Sequence, residues 1–207
     1  MKILSQIRWL VGDWHFGETR MELMCRPFRN AAHHDETLIA NHNAVVQPDD
    51  VVLCVGDVTH RERPEKLELV GRLHGRKILI RGNHDVVHSD DALRAYFVDV
   101  IEDGGGLEFE IGGIPCYATH YPTQGRADRF NIVGHVHGAW RYQLNMLNVC
   151  VDNFGFYPCP TDRVPFFHKA ICDGYDEDVW VAYREVNQSF RNSRGKKSRY
   201  LGDPIPS

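Results

Sequence analysis

The sequence predicts an α/β fold, on the basis of two patterns along the 207-residue chain. In the first half, short apolar runs alternate with amphipathic stretches, as they do in βαβ units. Beyond Gly104-Gly105-Gly106, closely spaced apolar runs joined by turn residues indicate hairpins instead. We therefore expect one domain over residues 1–186, followed by a polar, partly basic tail over residues 187–207.

The first half predicts three strands and three helices in alternation. The expected strands cover residues 6–11, 51–55 and 77–80, of which the second is a continuous β-branched run suited to a buried parallel strand. The expected helices cover residues 35–46, 64–73 and 91–97, where apolar positions recur at helical spacing. Pro64 suits the first turn of the second helix.

The second half predicts a hairpin and further strands. Strands are expected at 107–111 and 114–119, joined by Gly112-Gly113 in a two-residue turn, and at 130–133, 144–151 and 179–183. Residues 158–165 are expected to form a loop.

Composition is that of an ordinary globular domain, with 43% hydrophobic and 25% charged residues. The net charge of -4 creates no field that would mark a nucleic-acid-binding protein. Six scattered cysteines indicate reduced thiols, several of them buried. Since neither a signal peptide nor a membrane-spanning run is evident, we expect a cytoplasmic protein with no membrane partner.

Polar side chains that bind metals follow the ends of five predicted strands. In open α/β sheets these ends form the ligand crevice, so residues far apart in sequence can meet there. The candidate ligands are Asp13, His15, Asp57, Asn83, His120, His135 and His137. Carboxylate, amide and imidazole groups are all ligands for divalent cations.

The set is too large for one ion, and it predicts two divalent ions that share a carboxylate. Such a pair clamps the attacking and leaving oxygens of an in-line displacement and generates a bridging hydroxide at neutral pH. The mixed nitrogen and oxygen ligands favour Mn²⁺, with Fe, Zn, Ni or Mg as alternatives.

The ordered motifs D-x-H, GD, GNHD, a single His and GHxH resemble those of the calcineurin-like metallophosphoesterase family. The resemblance runs from Asp13 to about Asp152, and the compact form is similar to the small bacterial and phage members. It implies two mixed β-sheets packed face to face and flanked by helices. It also implies a metal-dependent phosphoric ester hydrolase whose partner is a phosphate-ester substrate.

The resemblance also implies a role for each residue of the motifs. Asp13, His15 and His137 would hold the first metal ion, and Asp57 would bridge both ions. The second ion would be completed by Asn83, His120 and His135. His84 and Asp85 would be catalytic: His84 would stabilise the transition state or protonate the leaving oxygen, and Asp85 would orient it.

Three arginines are candidates for the substrate phosphate, namely Arg61, Arg126 and Arg129, although solvated loop arginines would look the same. His33, His34 and Asp35 are interpreted as the exposed start of a helix with Asp35 as its cap. The remaining histidines are interpreted as surface or packing residues: His42, His74, His88 and His168. For Trp14 both a core position and a pocket wall stay open.

A phosphodiesterase acting on a nucleotide-like or nucleic-acid-derived diester is the leading hypothesis. The alternatives are a phosphomonoesterase for proteins or small metabolites, a nuclease, and a non-catalytic scaffold that retains the fold. The nuclease is favoured only by the basic residues of the tail. The oligomeric state is left open.

Overall fold

Two five-stranded sheets form the centre of the computed structural model, which describes residues 3–143 and 145–171. The first sheet has the order β10 (Cys159–Pro160), β1 (Ile7–Val11), β2 (Val51–Cys54), β3 (Arg76–Ile80) and β4 (Phe97–Ile101). The second has the order β5 (Gly106–Ile111), β6 (Ile114–Thr119), β7 (Phe130–Val133), β9 (Met146–Asn148) and β8 (Tyr142–Gln143).

Both sheets are mixed. Strands β1 to β4 are parallel and β10 is antiparallel to β1. In the second sheet β6, β7 and β9 are parallel, while β5 and β8 are antiparallel edges. The predicted α/β sandwich of two mixed sheets with flanking helices is confirmed.

Strand β2 shows how the layers pack. Val51 and Leu53 face the second sheet and pack among residues of β6, β7 and β9. Val52 and Cys54 point the other way, into a core shared with the helices. Because both faces are covered, all four residues of this strand are buried.

Three α-helices and several 3-10 turns complete the described part of the chain. The α-helices are α1 (Ala31–Val45), α2 (Asp90–Arg94) and α3 (Val164–Lys169). The 3-10 segments are Leu4–Gln6, Pro64–Arg72, Asp85–Val87, Pro122–Gln124, His137–Ala139, Val151–Phe154 and Thr161–Arg163. None of the helices in the described ranges is long and apolar enough to cross a membrane.

The prediction for the start of α1 was wrong. The helix begins at Ala31, because the extended Asn30 caps it by accepting a hydrogen bond from the backbone N–H of His33 at 2.9 Å. Asp35 therefore lies inside the helix, and both it and His34 are buried rather than exposed.

Other boundaries also differ from the prediction. The segment expected as a helix at 64–73 is a 3-10 helix, and the one expected at 91–97 ends early because Phe97 begins the unpredicted strand β4. The strand expected at 144–151 is represented by the short β9. The expected loop at 158–165 contains β10, a 3-10 turn and the start of α3, and the strand expected at 179–183 lies outside the described residues.

The hairpin between β5 and β6 is confirmed. Gly112 and Gly113 have φ of 57° and 82°, so both central positions use the left-handed backbone that a primed turn requires. Ile111 and Ile114 close the ladder on either side of them.

Trp14 and the thiols have clear environments. Trp14 is core: its indole is buried, with its ring centroid 5.8 Å from those of Phe16 and His42. The cysteines of the described residues are free, and all except the exposed Cys25 are buried, as expected. Cys172 lies outside the described residues.

Candidate metal centre

The candidate ligands come together where the two sheets meet. Loops after β1, β2 and β3 carry the ligands of the first sheet, and loops after β6 and β7 carry those of the second. The sheets are tied at this point because the backbone of Gly12 bonds to Val149 and Val151, at 3.0 and 3.1 Å. Side chains more than 100 residues apart thus reach one crevice.

The backbone of these loops is unusual. The candidate ligands Asp13, His15, Asp57, His135 and His137 have φ between 48° and 73°. A residue with a side chain adopts this left-handed region at a cost of about 1–3 kcal/mol, and such residues cluster at functional sites. The strain aims these five side chains into one crevice.

At two positions of these loops there is no space for any residue larger than glycine. A Cβ on Gly134 would lie 2.7 Å from Asp13 Oδ2, and one on Gly82 would collide with the Asp57 carboxylate and the His120 ring. The loops therefore approach the ligand side chains so closely that no side chain fits at either position.

Asp13, His15 and His137 form the first group, with a ligand atom from each within 4.8 Å of the others. His15 Nε2 lies 3.9 Å from Asp13 Oδ1 and 3.4 Å from Asp57 Oδ2. Both ring nitrogens of His15 are buried and have no hydrogen-bond partner among the described residues. A buried imidazole in this condition is rare, and a metal ion would satisfy it.

Asp57, His120 and His135 form the second group on the same distance criterion. His120 Nδ1 donates to the carbonyl of Val55 at 2.7 Å, so the lone pair of Nε2 is left for a ligand. That atom lies 3.5 Å from Asp57 Oδ2 and 3.3 Å from Asn83 Oδ1. Asn83 therefore lies beside this group, and its role as a ligand stays a prediction.

Asp57 lies between the two groups. Its Oδ2 approaches His15 on one side and His120 on the other, while its Oδ1 accepts from the backbone N–H of His84 at 2.8 Å. Burial opposes its ionisation, but the neighbouring histidines hold the pKa of Asp57 well below its usual range. The carboxylate is therefore charged and lies within reach of the histidines of both groups.

The site has a buried floor and an open rim. Asp13, His15, Asp57 and His120 have at most 2% of their surface exposed. Asn83, His84 and His137 are half-buried, and His135 is exposed. The donor set, its burial and the orphaned His15 ring all fit a pair of divalent cations.

His84 sits at the rim, with its ring centroid 4.5 Å from that of His15. Its Nδ1 accepts from the backbone N–H of Arg61 at 3.2 Å, so the neutral ring carries its proton on Nε2. Burial, reinforced by the charge of His15, lowers the pKa of His84 to about 4.

The expected contact between Asp85 and His84 was wrong. The buried Asp85 carboxylate accepts from the backbone N–H groups of Asp57, Val58 and Gly82 at 2.8–2.9 Å. It therefore joins the loops after β2 and β3 and fixes Asp57. Burial, followed by the charge of Asp57, raises the pKa of Asp85 to about 6.

The three candidate substrate arginines have different surroundings. Arg61 is exposed and donates to the carbonyl of Asn83 at 3.1 Å, so it contacts the loop of His84. Arg126 and Arg129 pair instead with Glu108 on β5. Their contact with a substrate stays a prediction.

The sequence analysis missed several supporting residues. Cys150 Sγ donates to Asp13 Oδ2 at 2.9 Å, and burial beside that carboxylate raises the pKa of the thiol so that it stays protonated. Arg26 and Asp152 lie behind the first group. Nothing in the local sequence pattern distinguishes these residues from ordinary core and loop positions.

We expect the affinity of the metal-free protein for Mn²⁺ to rise with pH. Burial lowers the pKa of His15, but the carboxylates of Asp13 and Asp57 outweigh it and raise this pKa from 6.5 to about 9. A metal must displace that proton, so the apparent affinity should gain up to about tenfold per pH unit until the pH reaches that pKa.

The same proton stabilises the metal-free fold. Because the folded pKa of His15 is raised, this contribution to stability is complete below pH 6.5 and is lost as the pH rises through about 9.

The predicted change of Mn²⁺ affinity with pH is measured by calorimetric titration at about pH 6.5 and about pH 8.5. Equal Mn²⁺ affinities at the two pH values would contradict the prediction that affinity rises with pH.

A model of the calcineurin-like phosphoesterase family matches residues 8–158, and the chain belongs to that family. That family is one of metal-dependent phosphoesterases. The uncharacterized protein MJ1445 of Methanocaldococcus jannaschii is 39% identical over 80 residues, which are 37% of this chain and 46% of that protein. The Gene 66 protein of Mycobacterium phage L5 is 32% identical over 83 residues, which are 39% of this chain and 40% of that protein. The match spans less than half the length of either relative.

A solved structure shares the fold. The protein of unknown function AQ665 from Aquifex aeolicus superposes with a TM-score of 0.60 at 21% identity, over 77% of this chain and 97% of that one. At this identity the likeness concerns the fold alone.

Proposed function

We propose that the protein is a two-metal phosphodiesterase acting on a nucleotide-like or nucleic-acid-derived diester. The observation that carries the proposal is the meeting of two ligand groups around Asp57, with both ring nitrogens of the buried His15 lacking a hydrogen bond among the described residues. Asp13, His15 and His137 would hold one ion, and Asn83, His120 and His135 would hold the other, with Asp57 as the shared ligand. Manganese is the preferred metal, in line with the mixed nitrogen and oxygen donors.

The two ions, when bound, supply Lewis acidity and lower the pKa of water to near neutrality. His84 binds the phosphate from the rim. Its low pKa favours the neutral ring, so Nε2–H donates a hydrogen bond to a phosphate oxygen rather than acting as a charged acid. Asp85 contributes by fixing Asp57, and Arg61 extends a guanidinium toward the same phosphate.

Charge at the rim favours a diester over a monoester. A monoester dianion carries one more negative charge than a diester and calls for more cationic partners. Arg61 contacts the loop of His84, whereas Arg126 pairs with Glu108 and Arg129 pairs with Glu108 and Asp128. The rim residues are half-buried or exposed, so this side of the site is open to solvent.

The proposal is tested by Mn²⁺-dependent hydrolysis of bis-p-nitrophenyl phosphate and p-nitrophenyl phosphate side by side. We expect faster cleavage of the diester, abolished by a chelator and restored by Mn²⁺. Faster cleavage of the monoester would replace the phosphodiesterase by a phosphatase. Absence of hydrolysis with both ions bound would leave the scaffold alternative.

A further inference from the structure

A buried ion pair lies directly behind the first ligand group. Arg26, between β1 and α1, donates from Nε and Nη2 to the two carboxylate oxygens of Asp152, each at 2.9 Å. The Arg26 side chain is 0% exposed and that of Asp152 is 9% exposed. This two-point contact fixes the orientation of both groups.

The same guanidinium holds the first ligand loop. Nη2 donates to the carbonyl of Asp13 at 2.7 Å, and Nη1 donates to the carbonyl of Trp14 at 2.9 Å. Asp13 and the following His15 are in the left-handed backbone region, so these two bonds hold the peptide groups of a strained turn.

The carboxylate of Asp152 also contacts His137, the ligand that the second sheet provides to the first group. Asp152 Oδ2 lies 3.3 Å from His137 Nδ1, which leaves His137 Nε2 toward the site, 3.9 Å from Asp13 Oδ1. A carboxylate at Nδ1 fixes the tautomer and the ring orientation of a metal-binding histidine.

A second branch anchors the far end of the loop. His34 Nε2 accepts from Arg26 Nη1 at 2.8 Å, and His34 Nδ1 donates to Asp35 at 2.9 Å. Asp35 in turn accepts from the backbone N–H of Gly17 at 2.9 Å. The loop from Asp13 to Gly17 is thus held at both ends by buried side chains.

We propose that Arg26 and Asp152 are positioning residues for the first metal site, which they assemble by joining the loop of Asp13 and His15 to His137. This inference rests on the proposed function and concerns the residues that hold its first metal site in place. We expect substitution of this pair to weaken the first metal site and not the second, because Asp57, His120 and His135 have no described hydrogen bond to Arg26 or Asp152.

Asp152→Asn is the test variant, since it keeps the shape but removes the charge that holds Arg26 and His137. The matched control is Lys77→Met. Lys77 is also a buried cation that holds two backbone carbonyls, those of Leu73 and Gly75, at 2.8 Å each. It is the second residue of β3, at the end of the sheet away from the ligand loops.

Calorimetric titration of chelator-treated full-length proteins with Mn²⁺ alone gives the number of sites and the affinity of each. We expect two sites in the unchanged protein. Asp152→Asn should weaken one of them by about 10–100-fold and leave the other within about threefold. Lys77→Met should lower the melting temperature but leave both sites within about threefold.

The outcomes separate this inference from the function it rests on. Fewer than two sites in the unchanged protein would defeat the two-metal proposal itself. Two sites there, with both affinities kept in Asp152→Asn, would overturn the positioning role alone. Equal weakening in Lys77→Met would overturn it as well, since the effect would then be one of general stability.

A double variant guards against failure to fold. Asp152→Asn leaves the charge of Arg26 buried without a partner, which can be strongly destabilising. Arg26→Met combined with Asp152→Asn removes both charges. The first site should again be the weakened one, and retention of both affinities would overturn the inference.

Discussion

His84→Ala is expected to lower turnover by about 10²–10³, the usual contribution of one hydrogen-bond donor aimed at the charge of the transition state, while both metal ions stay bound. Its Nδ1 is occupied by the N–H of Arg61, which leaves Nε2–H to donate to the substrate. Its ring lies at the half-buried rim rather than in the floor. Turnover of the diester substrate and metal content per chain are the two measurements.

A ring nitrogen of His84 lies within 4.8 Å of ligand atoms of His15 and Asp57, so the metal measurement matters. Loss of an ion in His84→Ala would make His84 a ligand, and unchanged turnover would remove it from the mechanism. His74→Ala is the matched control, because His74 is an exposed imidazole just before β3, away from the ligand loops. It should retain full activity.

Asp57→Asn is expected to weaken both metal ions together and to abolish most activity. The amide keeps an oxygen for the N–H of His84 but replaces the charged oxygen between His15 and His120. A shared carboxylate is the ligand whose loss affects both ions. Calorimetry with Mn²⁺ measures the two affinities.

The control for this change lies at the other end of the same strand. Asp50 precedes β2 and accepts from Trp9 Nε1 at 2.8 Å and from the N–H of Gln47 at 2.9 Å. Asp50→Asn should leave both metal affinities unchanged. Weakening of one ion alone in Asp57→Asn would refute the bridging assignment.

The strands that carry the ligands were predictable because each is a short apolar run followed by a polar side chain, which comes after a glycine in every case except β6. Sequence alone also predicted the primed turn at Gly112-Gly113. It failed at α1, where Asp35 has the chemistry of a cap but Asn30 occupies the extended position that caps the helix. It failed again at Phe97, whose apolar character suits a helix end and a strand start equally.

The ligand set was predictable for a different reason than its support. Residues such as Asp57 and His120 follow strands, so topology alone brings them together. Arg26 and Asp152 are joined across 126 positions by side-chain geometry, which no periodicity encodes. The need for glycine at positions 82 and 134 comes from the close approach of the loops to the ligand side chains, which only the structure shows.

Each ligand group draws on both sheets. Asp13 and His15 face His137 across the junction, and Asp57 faces His120 and His135. Ions bound there would link the two β-sheets, and they would bind only when the sheets are packed against each other. At a free metal concentration of about 100 times the dissociation constant, each such ion would add about 2.7 kcal/mol to the free energy of unfolding. Because cellular proteases remove the unfolded fraction, metal supply would then govern how long the protein persists.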